Sequence, residues 1–193
     1  MTPVEVIDAI SKKYAPLSSE CVQELLPKLK ITNYAKGGTL VREGQYSDKA
    51  FYVLQGCARA YYLNDGRDVS DWFAFEEEFI CSIVSFFANR PSPHFIEVLE
   101  DAVVLELSRK TVETLSDRFH DFERLIRVVV TNTMLDQQER LSSILFHTAE
   151  ERYRHILTVR PVILNRVPLT HIASYLGITL ETLSRIRGAM KRI

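Results

Sequence analysis

The stretch GTLVREGQYSDKAFYVLQG, residues 38–56, decides the fold class of this chain. It contains two short apolar runs, residues 39–42 and 51–54, that are rich in the β-branched and aromatic residues favoured in strands. Glu43-Gly44 marks a turn between the runs, and Gly56 ends the second run. Short apolar runs bounded by glycines predict the strands of a β-sheet domain.

More strand signals follow on the C-terminal side of this stretch. Residues 58–63 and 68–75 flank Asn64-Asp65-Gly66, whose Asp-Gly centre is typical of a hairpin turn. Residues 96–107 supply one or two further strands, with a break near Glu100-Asp101. Because several short strands are separated by glycine turns, we predict an antiparallel β-barrel or jelly roll.

Helical signals stand before the strands. Residues 3–15 place an apolar residue at every fourth position, which predicts a short amphipathic helix that Pro16 interrupts. A second helix is expected after Ser18, whose hydroxyl is available as the N-cap, with Glu20 in the first turn. The fold class predicted for the chain is therefore α+β.

A long helical pattern without proline or glycine occupies residues 117–148. A polar and apolar seam runs along it at spacings of three or four residues: Ile126, Val130, Thr133, Gln137, Leu141, Ile144 and Thr148. We predict a dimerisation helix, because the chain is too short to supply a helical bundle for it. One face of an intrachain bundle is the alternative. Residues 150–159 predict a further short helix, with an interdomain bend at residues 148–150.

Composition sets the outer limits. The chain has 193 residues, of which 46% are hydrophobic and 25% charged, so it is globular and needs no disulfide or metal staple. No run of about 18 apolar residues exists, so a membrane is not expected as a partner, and residues 1–15 do not resemble a signal peptide. The cysteines are odd in number and far apart, which favours a cytoplasmic location: Cys21, Cys57 and Cys81.

The net charge of −1 hides an asymmetry. Residues 151–193 carry eight basic and two acidic residues, a net charge of +6, whereas residues 1–150 carry 16 basic and 23 acidic residues, a net charge of −7. A basic segment attached to an acidic body is typical of a nucleic-acid-binding module joined to another domain. A solvated basic surface is the plainer alternative.

Residues 167–193, VPLTHIASYLGITLETLSRIRGAMKRI, predict a helix-turn-helix. Pro168 suits the first turn of a helix whose inward side carries Ile172 and Leu176. Gly177 can take the left-handed conformation of a tight turn, and Thr179 can cap the second helix. Leucine, isoleucine and methionine recur along one side of that second helix. Glu181, Arg185 and Arg192 recur along the opposite side, which is therefore polar.

The polar side of the second helix is the candidate DNA-reading surface. Arg185 can donate two hydrogen bonds to guanine, and Glu181 can accept one from cytosine. Hydroxyl groups beside them suit phosphate contacts. The predicted DNA-binding residues are Thr179, Glu181, Thr182, Ser184, Arg185 and Arg192.

A β-domain, a long helix and a C-terminal helix-turn-helix, in that order, resemble the cyclic-AMP receptor/fumarate-nitrate regulator (Crp/Fnr) superfamily of bacterial transcription factors. The strongest matches are residues 172–187, IASYLGITLETLSRIR, and residues 38–56. The resemblance implies that Glu181 and Arg185 read bases. The additional recognition arginine of the family, one residue before that glutamate, is Leu180 here, so a different base preference is expected.

The phosphate-binding cassette of the family departs from its pattern in this chain. The cassette has a Gly-Glu pair and later an Arg-Ser pair, but the corresponding positions here hold Cys81-Ser82 and Ser92-Pro93. Both charged ligands of a cyclic nucleotide are therefore missing, and cyclic AMP is not expected to bind in the usual way. A different small-molecule effector, or none, is expected. Its pocket would be lined by Cys81, Ser82, Ser85, Asn89, Arg90 and Ser92, or these residues simply close the barrel.

Other cofactors and activities fit less well. An iron–sulfur cluster needs four cysteine ligands, and the chain has three cysteines. A cupin-type enzyme needs an H-x-H metal motif, and the only histidine in the barrel region is His94. The chain is therefore not expected to be an enzyme. His147, Glu151 and His155 share a helical spacing that suits a metal, but a solvated surface across the bend is the preferred interpretation, and no metal site is expected.

The resemblance also implies an organisation and partners. Residues 1–116 are expected to form the cyclic-nucleotide-binding-like sensor domain, residues 117–148 the dimerisation helix and residues 149–193 the helix-turn-helix domain. The wing hairpin usual in the family is expected to be absent. Expected partners are double-stranded DNA with a palindromic operator, a second copy of the chain, and RNA polymerase. A cyclic-nucleotide-responsive regulator and a protein-interaction module without DNA contact are the alternatives.

Overall fold

A computed structural model describes residues 2–190. Two helices open the chain, α1 (Pro3–Lys13) and α2 (Ser19–Leu25), and a single 3₁₀ turn, Leu26–Lys28, follows. The Ser18 hydroxyl accepts a hydrogen bond from the Cys21 N–H at 3.3 Å and caps α2, which confirms the predicted N-cap. Both helices cover one side of the sheet domain described next.

Eight antiparallel strands form two four-stranded sheets. The first sheet has the order β1-β8-β3-β6 and the second β2-β7-β4-β5. The strands are β1 (Lys30–Tyr34), β2 (Thr39–Val41), β3 (Lys49–Gln55), β4 (Ala58–Asn64), β5 (Arg67–Ala74), β6 (Phe79–Cys81), β7 (Phe95–Val98) and β8 (Ala102–Ser108). The predicted turns at residues 43–44 and 100–101 lie between strands, and in the predicted turn at 64–66 only Asp65-Gly66 does, because Asn64 is the last residue of β4.

Of the two predicted architectures, the structure has the jelly roll and not a closed barrel. Strand pairing stays within each four-stranded sheet across residues 2–190, so the two sheets face each other as the layers of a jelly roll. Their facing sides share one apolar core, to which the first sheet contributes Phe51 and Val104 and the second contributes Val41 and Ile96. Burial between the sheets therefore supplies the cohesion that closure would supply in a barrel.

Gly56 makes the reversal from β3 to β4 possible. Its φ is +99°, and a Cβ at this position would lie 2.7 Å from the Cβ of Ala102. We expect Gly56→Ala to lower the free energy of unfolding by about 2 kcal/mol, because it adds backbone strain and a steric clash. Denaturant unfolding measures this loss. Gly66→Ala is the matched control, since Gly66 also has a positive φ (+74°) but faces open space, and an equal loss in both variants would contradict the clash.

The long helix is shorter than predicted. A separate helix α4 (Arg109–Arg118) comes first, then α5 runs over His120–Phe146. Phe119 breaks the pattern because its backbone is extended (φ −127°, ψ 108°) and its side chain packs against the core beneath α2 and α4. After α5, Thr148 is extended and caps α6 (Ala149–Val159) through a reciprocal pair of hydrogen bonds with Glu151, which confirms the predicted bend.

The C-terminal part contains three short helices, α7 (Ile163–Arg166), α8 (Leu169–Tyr175) and α9 (Leu180–Met190). One apolar cluster joins these helices and α6 to the sheet domain, because Phe73 of β5 and the adjacent Phe75 pack with Ile156 of α6 and Ile172 of α8. The remaining helix of the sheet domain, α3 (Ile83–Ala88), lies between β6 and β7. Among the described helices, none is both long and apolar enough to cross a lipid bilayer.

Candidate nucleic-acid interface and effector region

The α8–turn–α9 unit is a helix-turn-helix whose turn follows local chemistry. Gly177 has φ +67°, a left-handed conformation that favours glycine. The Thr179 hydroxyl accepts a hydrogen bond from the Thr182 N–H at 3.2 Å and so caps α9. Leu183 is fully buried between α9 and α8. Pro168 occupies the N-cap of α8 rather than its first turn, one residue from the predicted place.

The opposite side of α9 is exposed. Glu181, Ser184 and Arg185 all point away from the apolar cluster, and an Arg185 guanidinium N–H donates to the Thr182 hydroxyl at 3.2 Å. Hydrogen bonds from its own backbone N–H and from the Thr179 hydroxyl hold the pKa of Glu181 below its usual value. An ionised acceptor and an arginine therefore stand side by side on one helix face. The last predicted contact, Arg192, lies outside the described residues.

Much of the C-terminal positive charge is used inside the molecule. Arg166 donates to both carboxylate oxygens of Glu76 at 2.7 Å and also pairs with Glu100. These hydrogen bonds from Arg166 lower the pKa of Glu76 to about 2. Arg160 pairs with Glu78 at 2.9 Å. The net charge of the segment therefore overstates the positive potential available to DNA, and the exposed α9 face matters more than the charge count.

Three of the predicted effector residues, Ser85, Asn89 and Ser92, hydrogen-bond to neighbouring groups of the sheet domain. Ser85 Oγ accepts a hydrogen bond from the Ser47 N–H at 2.7 Å, and Ser92 Oγ donates to the His94 carbonyl at 2.7 Å. Asn89 is left-handed and ends α3, where its side-chain oxygen accepts from Arg109. These interactions fold the loop around α3. Of the remaining members, Cys81 and Ser82 are buried and Arg90 is exposed.

Two buried polar groups in this region have no hydrogen-bond partner among the described residues. They are the Ser82 hydroxyl and the His94 imidazole, both of whose nitrogens are unpaired. Burial lowers the pKa of His94, and Tyr62 packs against its ring edge-on at 5.2 Å. From the sequence, His94 was considered only as the single histidine available to a cupin-type metal motif. A histidine next to an apolar strand segment was a visible signal of a buried polar group.

An apolar cleft of about 560 Å³ lies between α5 and the first sheet. Of the predicted effector residues only Cys81 lines it, and no charged side chain does. Its walls include Trp72, Phe79 and Phe86 of the sheet domain and Val130, Met134 and Leu141 on α5. Such a lining suits a neutral apolar group and offers nothing to the phosphate of a cyclic nucleotide.

The predicted dimer seam largely lies open along α5. Val130, Leu141 and Ile144 are exposed by 42%, 52% and 39%, although Ile126 packs against the apolar core of its own chain. The seam also forms one wall of the apolar cleft. Exposed apolar residues in a row on a long helix indicate a surface that another element covers.

Two of the three side chains with metal-like spacing, Glu151 and His155, contact other residues in the structure. His155 Nε2 lies 3.3 Å from Glu139, whereas Glu151 is used in the cap of α6. No group of three or more histidine, cysteine or acidic side chains with metal-site geometry occurs within residues 2–190. The three cysteines are free and buried, and burial raises the pKa of Cys57 to about 12.

One set of residues was missed by sequence reasoning altogether. Arg59 in β4 is only 2% exposed, and its guanidinium bonds Asp68 at 2.6 Å and Glu97 at 2.6 Å. It also lies 2.8 Å from His171 Nδ1 on α8. Next to it, the Ser70 N–H donates to Ser174 Oγ at 3.0 Å. The only signal was an arginine within an apolar strand run.

Comparisons with known proteins agree with this architecture. Residues 31–119 match the family model of the cyclic nucleotide-binding domain. The transcriptional activator protein FnrA of Stutzerimonas stutzeri is 26% identical over 163 residues, which cover 78% of this chain and 66% of that protein. The chain thus spans slightly less than two thirds of the length of that curated relative.

Two solved structures have the same fold. FixK2 from Bradyrhizobium japonicum superposes with a TM-score of 0.74 at 19% identity and covers 85% of each chain. The c-di-GMP-responsive global regulator CLP of Xanthomonas campestris superposes with a TM-score of 0.70 at 16% identity, covering 91% of this chain and 92% of that one. The similarity therefore extends over both the sensor sheets and the helical C-terminal part.

Proposed function

We propose that this chain is a DNA-binding transcriptional regulator of the Crp/Fnr type, because residues 31–119 match the cyclic nucleotide-binding domain and its relatives include the transcriptional activator FnrA. The observation that carries the proposal is the exposed face of α9, where Glu181 and Arg185 stand together on the second helix of a helix-turn-helix. An α-helix fits the major groove, where an arginine reads guanine and a carboxylate accepts from cytosine. The proposed phosphate contacts are Thr179, Thr182 and Ser184.

The proposed assembly is a homodimer formed through α5. Two recognition helices related by a two-fold axis read two half-sites about 34 Å apart, so the operator is a palindrome. The exposed seam from Val130 to Ile144 supplies the surface that a second copy covers. Because DNA is its ligand, we propose that the protein works in the cytoplasm, with RNA polymerase as a further partner.

The proposed sensor does not bind cyclic AMP in the usual way. The cassette lacks the paired glutamate and arginine, and the cleft beside α5 has no charged wall. An effector in this region would meet apolar walls in the cleft, and deeper in the domain the unpaired Ser82 hydroxyl and His94 ring. The proposed sensor domain covers residues 1–116 and the DNA-binding domain residues 149–193.

Substitution of the recognition arginine tests the proposal. We expect Arg185→Ala to weaken binding to a sequence selected from a random pool by about 1–3 kcal/mol and to relax specificity at one base position. Fluorescence titrations at fixed salt, on the selected duplex and on random duplex, measure both effects. Arg154→Ala is the matched control, because Arg154 is an exposed arginine of α6 that pairs with Glu150. Equal loss on both duplexes would contradict base reading by Arg185.

A further inference from the structure

The proposed sensor domain contacts the helix-turn-helix domain through buried polar groups. Arg59 lies on the second sheet and is surrounded by Asp68 and Glu97, with which it forms a charged cluster. The same guanidinium reaches across to His171 Nδ1 at 2.8 Å. Beside this contact, Ser174 accepts from the Ser70 N–H at 3.0 Å. Both His171 and Ser174 belong to α8, the helix that carries α9.

We propose that Arg59 is a positioning residue for DNA binding, which holds α8 through a neutral His171 and so fixes the direction in which α9 faces DNA. This inference rests on the function proposed above. Arg59 lies on β4, whereas the recognition face of α9 is exposed, so it acts on DNA only through α8. The docked arrangement leaves that recognition face exposed and does not occlude it.

The contact requires one protonation state of His171. A guanidinium only donates hydrogen bonds, so Nδ1 must accept and the ring must be neutral, with its proton on Nε2. The charged groups that face His171 are Arg59 from β4, Asp68 from β5 and Glu97 from β7. Protonation of Nδ1 would set two donors and two positive charges against each other.

The sign of the pH dependence follows from the environment of His171. Burial, and then the charge of Arg59, lower the pKa of His171, and they outweigh the opposite effect of Asp68 and Glu97. The undocked histidine has an ordinary pKa of about 6.5. The docking contact is therefore complete above about pH 6.5 and weakens as the pH falls from there through the lowered pKa of the docked state.

Docking matters most when two half-sites are read together. A held α8 sets both recognition helices of a dimer at a fixed separation, so the second half-site binds at high effective concentration. When the two helix-turn-helix units are loosely tethered, they must be ordered relative to each other before both half-sites can bind, which lowers the two-site affinity. Binding to a single half-site does not depend on the separation of the two recognition helices.

The test compares two variants of His171 with the wild-type chain. His171→Asn keeps an acceptor near the Nδ1 position and cannot titrate, whereas His171→Lys places a permanent positive charge against Arg59. Binding is measured at fixed salt, at about pH 7.5 and about pH 5.5, on duplexes with two half-sites and with one.

We expect the two-site affinity of the wild-type chain, relative to His171→Asn, to fall about tenfold on acidification, and that of His171→Lys to be about tenfold weaker at both pH values. On one half-site the three proteins should agree. A shared pH profile for wild type and His171→Asn would overturn the proposal. So would unchanged two-site binding by His171→Lys, or an equal loss on one half-site.

Backbone hydrogen exchange gives a readout that needs no DNA. At one pH, we expect amides of α8 to exchange about tenfold faster in His171→Lys than in the wild-type chain. Unchanged protection of α8 would overturn the docking role of Arg59 and His171. If no duplex binds at all while α8 loses protection, the proposed DNA-binding function fails and the docking contact stands.

Discussion

The double substitution Val130→Glu/Leu141→Glu is expected to make the protein monomeric and to weaken its binding to a two-half-site duplex by about 10²- to 10⁴-fold. Both residues are exposed on the α5 face that we propose as the dimer seam. In a dimer these glutamates would be buried against like charges across the two-fold axis, without partners. Binding to a single half-site should survive, because α9 is unchanged.

Light scattering on a size-exclusion column measures the mass, and titration of each duplex measures the affinity. Leu135→Glu is the matched control, since Leu135 is 56% exposed and lies on another side of α5. The mass of Leu135→Glu and its affinity for each duplex should equal those of the wild-type chain. A dimeric double variant would place the contact between copies elsewhere on the surface.

The second large effect is expected from Arg59→Ala. Removing the guanidinium leaves Asp68 and Glu97 facing each other in a site where Arg59 itself is 2% exposed. Breaking such a cluster from one side is costly, and we expect the free energy of unfolding to fall by about 3 kcal/mol. Urea unfolding at neutral pH, followed by far-UV circular dichroism, measures the loss.

The cause of that loss can be separated from simple loss of packing. Arg59→Met combined with Asp68→Asn and Glu97→Gln removes the charges together and keeps the volume, so it should recover most of the stability. If the triple variant is as unstable as Arg59→Ala, uncompensated carboxylates are not the reason. The single variant Arg59→Met should resemble Arg59→Ala, because both leave the carboxylates unpaired.

Local signals in the sequence predicted the local structure correctly. Gly177 and Thr179 predicted the turn and the cap of the helix-turn-helix, and Thr148 predicted the bend after the long helix. Each of these residues acts through its own backbone and its near neighbours in sequence. Strand positions followed from short apolar runs between turns. Two sheets facing each other, rather than one closed barrel, depend on which edges pair, and no residue pattern within a strand states this.

Long-range placement was the part that the sequence did not disclose. Phe119 interrupts the long helix because the core beneath α2 and α4 accepts its ring. The predicted effector residues are neighbours in sequence, but the sequence did not show that the Ser85 and Ser92 hydroxyls hydrogen-bond to nearby backbone groups. The docking of α8 joins residues 112 positions apart, Arg59 and His171, and only the folded chain brings them together.

Selection of DNA from a random duplex pool, with and without cyclic AMP at a stated salt concentration, tests the central claim most directly. The purified full chain is the bait. We predict enrichment of a palindrome whose half-sites are one helical turn apart, with the same sequence and strength in both arms. Failure to enrich any sequence, or enrichment that requires cyclic AMP, would contradict a dimeric DNA reader whose sensor lacks the usual nucleotide contacts.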